Sequence, residues 1–337
     1  MTERLSDISA RIEGVQQLGA VVNAIKGIAA ARARTAKAQV AAVDRYSELI
    51  SSALAYSMPP EDTVAPSRSS RRADPLPRGV SSAQNVSPAQ NVSSAQNVAI
   101  EQSAPGTALV LFLAEQGFAG AFSERVLDSV MPQITRGMTA PLMIIGTRGL
   151  VVASTREVTP EWSAAMPSHS LGIPTLADDI THAIEAAREQ QPFTHLDIVY
   201  TRWLKGRPQL VRQPLLPLSR NGVMADAHKV SPVATHTGEA STYRRASPYR
   251  RATPLMPLPR EQLVTRLGQE HQHARLCQAA LHAFAAENEA RMEAMTSAAT
   301  QIERELEDFK ATLRQVRQES ITAEIIELGT GAAAGNP

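Results

Sequence analysis

Cysteine and aromatic residues are scarce in this sequence of 337 residues. The single cysteine, Cys277, excludes a disulfide within the chain and fits a reducing compartment, and we expect it to be a small buried residue on a helix. Aromatic residues make up 4% of the chain whereas alanine is abundant, a balance that favours long helices over a large globular interior. The net charge of +1 gives no overall bias toward nucleic acid or an anionic membrane.

Long apolar runs and phosphate-binding loops are also missing. The best apolar run, residues 108–114, has the length of a strand and not the roughly 20 residues that cross a bilayer. The N-terminus lacks the basic-then-apolar order of a secretion signal, and there is no GxxxxGK[ST] loop to cradle ATP phosphates. We therefore expect a soluble protein of the cytosolic type, which is still compatible with attachment to a membrane-bound partner.

Helical patterning is what the sequence has in abundance, most clearly near the C-terminus. Apolar or small residues recur there in alternating steps of three and four: Met292, Met295, Ala299, Ile302, Leu306, Phe309, Leu313 and Val316. This heptad seam predicts a left-handed coiled coil, with charged residues such as Glu303, Arg304 and Glu305 on its solvated side. We predict one helix over residues 260–328, ending in a Gly-rich tail at 329–337.

A second long helix is predicted over residues 3–57, before the first proline. Its apolar stripe comprises Leu5, Ile8, Ile12, Val15, Val22 and Ile25. Between residues 24 and 42 the side chains become small, so a partner backbone can approach closely. At about 1.5 Å per residue this helix is roughly 80 Å long, far beyond what a compact domain uses. The two terminal helices can pair antiparallel because the segment between them reverses the chain.

The segment between the helices has three parts. Residues 58–105 are rich in proline, serine and arginine and contain three hexapeptide copies (SSAQNV, SPAQNV, SSAQNV), for which a disordered insertion is favoured over a β-helix. Residues 106–218 alternate short strands with helices and predict a small Rossmann-like α/β domain. Residues 219–259 are predicted to be a flexible basic insertion. The predicted strands are 108–114, 142–146, 195–201 and 209–213, and the predicted helices are 123–135 and 176–190.

Two motifs that could carry chemistry do not support it. Gly117 and Gly120 follow a predicted strand as in a dinucleotide-binding turn, but the third glycine is replaced by Ser123. The histidines of the C-terminal helix, His271, His273 and His282, have spacings that do not converge on one metal ion. We therefore expect a plain turn, solvated or packed histidines, and no catalytic residue, cofactor or metal.

Three blocks of the sequence resemble the gamma subunit of F-type ATP synthases. They are residues 12–38, with the run AIKGIAA; residues 200–218, ending in QPLLPL; and residues 287–299, ENEARMEAMTSAA, which continue through the run after Arg317 to the GAAA tail. The loop at 115–123 keeps the family's glycines but lacks its acidic–arginine pair. In these departures the chain is similar to a divergent alternate bacterial form, as in sodium-translocating branches.

The resemblance implies a central rotor that stands inside a ring of three alpha and three beta subunits. It also implies contacts with the epsilon subunit and the membrane c-ring, no nucleic acid, and a position on the cytoplasmic face of the plasma membrane. By the family's pattern, a catch loop of a beta subunit would be contacted by Arg317, Gln318, Thr322 and Glu324. Small side chains would keep the shaft slim at Ala24, Ile25, Gly27 and Ala30.

Two other classes of protein remain open from the sequence. A cytosolic coiled-coil scaffold with an unrelated α/β domain would have the same pattern of elements, and it predicts a stable homodimer. A stand-alone α/β enzyme would need a convergent acid, base and pocket, for which the sequence offers no candidates.

Overall fold

Two very long antiparallel helices dominate the computed structural model, which describes residues 2–58, 106–137, 140–219, 222–223 and 258–334. Helix α1 comprises Thr2–Ser57 and helix α5 comprises Arg260–Ala334. Arg260 Nε donates a hydrogen bond to the carbonyl oxygen of Ser57 at 2.9 Å, so the end of α1 meets the start of α5. At about 1.5 Å per residue, the 75 residues of α5 extend for roughly 110 Å.

The predicted heptad seam of α5 is the surface that packs on α1. All eight seam positions from Met292 to Val316 are buried or half-buried, whereas Glu303, Arg304 and Glu305 between them are exposed. On α1, Val22 packs against Met295 and Ala299. The coiled-coil prediction is confirmed, because a period of 3.5 keeps one stripe of each helix facing its partner.

Alanines bring α1 and α5 close together in the middle of α1. Ala29, Ala33 and Ala36 are at most 1% exposed, and Ala36 joins the cluster that α5 forms on the sheet. Since an alanine side chain is only a methyl group, the two backbones can approach without a cavity between them.

A five-stranded sheet lies between the two long helices in sequence. The α/β domain that contains this sheet comprises β1 (Thr107–Phe112), α2 (Phe122–Thr135), β2 (Leu142–Ile145), α3 (Thr147–Ser154), β3 (Trp162–Ala164), α4 (Ile173–Gln190), β4 (His195–Leu204) and β5 (Arg207–Leu216). The strand order is β3-β2-β1-β4-β5, and only the β4–β5 pair is antiparallel. The predicted α/β class with two long helices is confirmed.

The sheet is covered on both faces, which explains why β1 is buried at all six positions. Helices α4 and α5 cover one face, with Phe284 of α5 and Ile180 of α4 in the same core cluster as Phe112. Helices α2 and α3 cover the other face. Helix α3 lies so close to β1 that a Cβ added at Gly149 would stand 2.1 Å from Cβ of Leu113.

Two elements and one boundary differ from the sequence predictions. Strand β3 has only three residues and α3 only eight, so neither contains enough periods to show a pattern. Helix α5 continues through Gly329 and Gly331 to Ala334, so the predicted stop at residue 328 is wrong. Each glycine weakens a helix by only about 1 kcal/mol, and the alanines around them favour it. The predicted insertions, 58–105 and 219–259, lie almost wholly outside the described residues.

Candidate functional site

The region where α5 leaves the sheet is the first candidate site, and we call it the neck (residues 287–291 of α5 with the loop 115–120). Residues 283–289 of α5, which lead into the neck and include its first three positions, are all buried. From Met292 onward the seam positions are buried or half-buried, and most of the other side chains are exposed. The neck is therefore the boundary between the α/β domain and the free coiled coil.

A buried ion pair occupies the neck. Glu287 and Arg291 are 3% and 5% exposed, and Arg291 Nη2 donates to the Glu287 carboxylate one helical turn away. Arg291 also donates from Nε to the carbonyl oxygen of Gly117 at 3.1 Å and from Nη1 to the side chain of Asn288 at 3.1 Å. The backbone N–H of Gln116 donates to Glu287 at 3.0 Å. The pair is thus hydrogen-bonded to the backbone of the loop as well as to itself.

Burial dominates the electrostatics of Glu287. Loss of solvent raises the pKa of this carboxyl above its ordinary value, although the charge of Arg291 and hydrogen bonds from the backbone of Gln116 and Glu115 oppose the shift. Because the two ions are taken out of water together, breaking either one leaves the other buried without its partner, which is costly.

The loop after β1 is fixed on its other side by Glu115. Its carboxylate accepts hydrogen bonds from the backbone N–H of Thr147 at 2.9 Å, the hydroxyl of Thr147 at 2.8 Å and the backbone N–H of Met166 at 2.8 Å. Phe118 takes a left-handed conformation (φ 63°) and is 69% exposed. A bulky residue in that conformation is uncommon, so the loop is held in a shape that its own backbone does not favour.

An open cleft of about 420 Å³ borders this loop. It is lined by backbone and side chains of the loop together with Ser123, Glu124 and Arg148. Ser123 Oγ accepts a hydrogen bond from the backbone N–H of Ala114, and this bond holds the turn after β1 in place. Within the described ranges no group of three His, Cys, Asp or Glu residues is arranged to hold a metal ion.

A second set of polar contacts ties α1 to α5 below the neck. Asp44 accepts hydrogen bonds from Gln278 Nε2 at 2.8 Å and from His282 Nε2 at 3.0 Å, and the His282 ring stacks on Tyr200 of β4. Burial acts to raise the pKa of Asp44, but the hydrogen bond and charge of His282 together with Gln278 outweigh it and hold this pKa below its ordinary value. Lys37 of α1 pairs with Glu289 at the neck itself.

The remaining singled-out residues of α5 pack within the fold. His273 Nε2 lies 3.2 Å from the carboxylate of Asp178 on α4, and Cys277 is buried as predicted. Burial, together with Asp178 and Glu270, raises the pKa of the Cys277 thiol to about 11. A thiol with so high a pKa is almost entirely protonated near neutral pH and is a poor nucleophile.

The predicted catch-loop residues lie together near the far end of α5. Arg317, Gln318, Thr322 and Glu324 are all exposed, directly after Val316, which is buried. Thr322 donates its hydroxyl to the carbonyl oxygen of Gln318 at 2.8 Å, one turn earlier. Three isoleucines in the same stretch, Ile321, Ile325 and Ile326, are more than half exposed.

The predicted slim-shaft residues divide into two groups. Ala24 and Gly27 are exposed, and a Cβ added at Gly27 would meet nothing within 4 Å. Ile25 and Ala30 are half-buried. Packing of this stretch against α5 is performed mainly by Ala29, Ala33 and Ala36, so Ala24 and Gly27 present small side chains to the outside of the rod.

The neck was not predicted as a site. Its two halves are about 170 residues apart in the chain, and no local period links them. The available signal was a Glu and an Arg four positions apart within an alanine-rich apolar run, since charged residues are rarely buried unless they are paired.

Comparison with known proteins agrees with this architecture along the whole chain. The sequence model of the family described as ATP synthase (ATP-synt) matches residues 4–334. The ATP synthase gamma chain of Gluconobacter oxydans is 24% identical over 340 residues, which is 98% of this chain and 99% of the relative. The chloroplastic gamma subunit of Zea mays is 24% identical over 355 residues, covering 98% of this chain and 89% of the maize subunit.

The fold is also found in a solved rotary enzyme. A chain in the mitochondrial ATP synthase of Euglena gracilis (OSCP/F1/c-ring, rotational state 3) superposes with a TM-score of 0.61 at 15% identity, covering 99% of this chain and 95% of that chain. A structure of the rotor of the same enzyme gives a TM-score of 0.54 at 14% identity, covering 95% and 100%. None of the described helices of the present chain has an apolar stretch long enough to cross a membrane. With a family match from residue 4 to residue 334 on a rod carrying an α/β domain, the chain belongs to the gamma-subunit family of ATP synthases.

Proposed function

We propose that this chain is the central-stalk rotor of a rotary F-type ATP synthase, coupling ion flow through a membrane ring to ATP synthesis or hydrolysis in a ring of alpha and beta subunits. The observation that carries the proposal is the family match across both helices and the α/β domain together. A coiled-coil scaffold is not favoured, because its α/β domain would have no reason to match the same family.

The geometry suits a rotor for a physical reason. An off-centre rod that presents different side chains in different directions favours a different conformation in each subunit around it. Turning the rod changes which conformation is favoured, so rotation becomes a difference in nucleotide affinity. The chain itself supplies no catalytic residue in this scheme and takes part as a mechanical subunit.

The partners in this proposal are the alpha and beta subunits, with one copy of this chain per three of each, the epsilon subunit and the c-ring. The complex is membrane-associated, and we place this subunit on the cytoplasmic face of the plasma membrane as a peripheral component. The likeness to a bacterial gamma chain supports that placement.

Copurification tests the assignment directly. The chain is expressed with the alpha and beta subunits of the same operon, and subunit stoichiometry and ATP hydrolysis are measured with and without it. We expect one copy per three beta subunits and hydrolysis that depends on its presence. A homodimer that does not bind the other subunits would refute the rotor assignment and support the scaffold.

We propose separately that this chain contacts a catch loop of a beta subunit. The side chains of Arg317 and Gln318 are exposed and therefore available for this contact. A guanidinium can grip acidic loop residues through two parallel hydrogen bonds. We expect Arg317→Ala with Gln318→Ala to lower ATP-driven ion pumping by about tenfold, as loss of one to two kcal/mol of coupling implies, while assembly is retained.

The chain offers a control of the same composition. Arg314 and Gln315 repeat the Arg-Gln pair three residues earlier and are also exposed. The variant Arg314→Ala with Gln315→Ala should pump normally in reconstituted vesicles. Equal pumping by both double variants and the unmodified complex would exclude the proposed contact.

A further inference from the structure

If the chain is a rotor, as proposed above, torque must pass between the α/β domain and the coiled coil. The contacts between α5 and the domain indicate which residues transmit it. Most of the contact between α5 and the sheet is apolar, through residues such as Leu276, Ala280 and Phe284. Apolar contacts oppose separation but have no preferred direction. Hydrogen bonds weaken steeply away from a linear geometry, so they define the angle of the helix about its own axis more sharply than apolar contacts do.

Besides the stacking of His282 on Tyr200, buried hydrogen bonds join α5 to the α/β domain at two separate levels. At the first, Arg275 Nη2 donates to Gln213 Oε1 of β5 at 2.8 Å. At the second, about 18 Å farther along the helix, Glu287 and Arg291 bind the loop backbone. The His273–Asp178 pair is a third link, but Asp178 has a side chain that is 62% exposed, so solvent screens it.

The neck contacts form an unbroken polar chain across the domain. From Glu287 and Arg291 it passes to the backbone of Gln116 and Gly117. The adjoining Glu115 carboxylate then binds the N-terminus of α3 and the segment after β3. The β3 edge of the sheet, which is farthest from the antiparallel β4–β5 pair, is in this way connected to α5 through the loop 115–120.

The position of this chain of contacts is what gives it a mechanical role. It lies at the end of the stretch in which consecutive residues of α5 are all buried, immediately before the free coiled coil begins at Met292. Helix α1 is attached to α5 at the same level by Lys37 and Glu289. Both helices of the rod and the domain are therefore joined within one turn of α5.

We propose that Glu287 and Arg291 are positioning residues that form the torque-bearing joint between the α/β domain and the shaft. They act by holding the backbone of residues 116–117 at a fixed angle to α5. Without them the domain stays attached through its apolar face but turns more freely against the helix, so rotation of one part is incompletely transmitted to the other.

The test uses the whole complex reconstituted in vesicles, with ATP hydrolysis and ATP-driven ion uptake measured on the same preparation. The variant Glu287→Gln with Arg291→Gln removes both charges and keeps side chains of similar length. We expect near-normal hydrolysis and a ratio of ions pumped to ATP hydrolysed that is about threefold lower, within the range found for mutations along coupling networks. Amide hydrogen exchange of residues 115–120 should become faster.

The matched control removes another ion pair of the same domain. Asp128 and Arg156 pair on its surface away from α5, and Asp128→Asn with Arg156→Gln should leave the pumping ratio unchanged. Faster exchange of the loop with an unchanged ratio in the neck variant would show that the pair is structural only and would overturn the proposal.

A milder variant decides the matter if the double variant does not assemble. Arg291→Lys keeps the charge but cannot reproduce the bonds to both Glu287 and Gly117. A lowered pumping ratio in Arg291→Lys supports the joint, and a normal ratio refutes it. Absence of coupled pumping in the unmodified complex is a different result, because it would overturn the rotor function itself.

Discussion

At the scale of single residues, polar side chains join the two long helices to each other beside the α/β domain. Lys37, Asp44 and Tyr46 of α1 contact Glu289, His282 and Glu270 of α5 in turn. These contacts lie beside the apolar seam of the two helices. Since each pair is satisfied in one register only, the polar contacts select the register while the apolar residues supply most of the attraction.

The pH dependence of stability should contain a contribution from Asp44. Its pKa is below the ordinary value of 3.8 in the folded chain, so its contribution is present above that value and is lost as the pH falls through the folded pKa. We expect Asp44→Asn to lower the free energy of unfolding by about 1 kcal/mol at neutral pH, the size of one hydrogen bond to a charged group that is partly exposed.

The difference between wild type and Asp44→Asn should shrink toward zero in strong acid. Urea unfolding of the isolated subunit at neutral pH and at about pH 3 measures it. Glu48→Gln is a suitable control, because burial and the nearby Asp44 charge raise the pKa of Glu48 instead. Equal destabilisation by Asp44→Asn at both pH values would contradict the assignment.

At the scale of elements, the sequence predicted the helices and strands that are long enough to show a hydrophobic period. The seam from Met292 to Val316 was read correctly position by position, and so were four of the five strands. Strand β3 and helix α3 were missed because three and eight residues contain too few periods for a pattern to stand out. The neck was missed because Glu287 meets Gln116 only after the fold brings them together, and no pattern local to either residue records that contact.

Small residues on α1 have two roles that substitutions can separate. Ala36 is fully buried between the helices, so Ala36→Leu should destabilise the isolated subunit by about 2 kcal/mol through overpacking. Ala24 is exposed, so Ala24→Leu should leave the stability within about 0.5 kcal/mol. Chemical unfolding of the two variants gives both values.

The same pair tests the slim-shaft prediction in the complex. If the exposed small residues face a tight sleeve, Ala24→Leu should slow ATP hydrolysis of the assembled complex although it leaves the isolated subunit intact. Normal hydrolysis with Ala24→Leu would show that this side of the rod is not in close contact with the surrounding subunits.

At the scale of the whole molecule, packing within the chain ends before the chain does. Val316 is the last buried side chain of α5 among the described residues. A subunit truncated after residue 316 should therefore unfold within about 2 °C of the full chain, because it loses almost no buried apolar area. Differential scanning calorimetry of the isolated subunits measures this.

The truncated subunit should behave differently in the complex, where it lacks Arg317 and Gln318. We expect weaker coupling of hydrolysis to ion pumping. A marked fall in the melting temperature of the isolated truncated subunit would mean that the end of α5 contributes to the fold of this chain.

The unequal lengths of the two helices have one further consequence. With Gly19 opposite Ile302, the antiparallel register places the start of α1 opposite about residue 319, so the last fifteen or so residues of α5 continue as a single helix. A solitary helix of that length is only marginally stable in water. Its isoleucines at positions 321, 325 and 326 are more than half exposed, so we expect the order of the tip to depend on its surroundings. We therefore expect the final turns to become fully ordered as the shaft enters its ring.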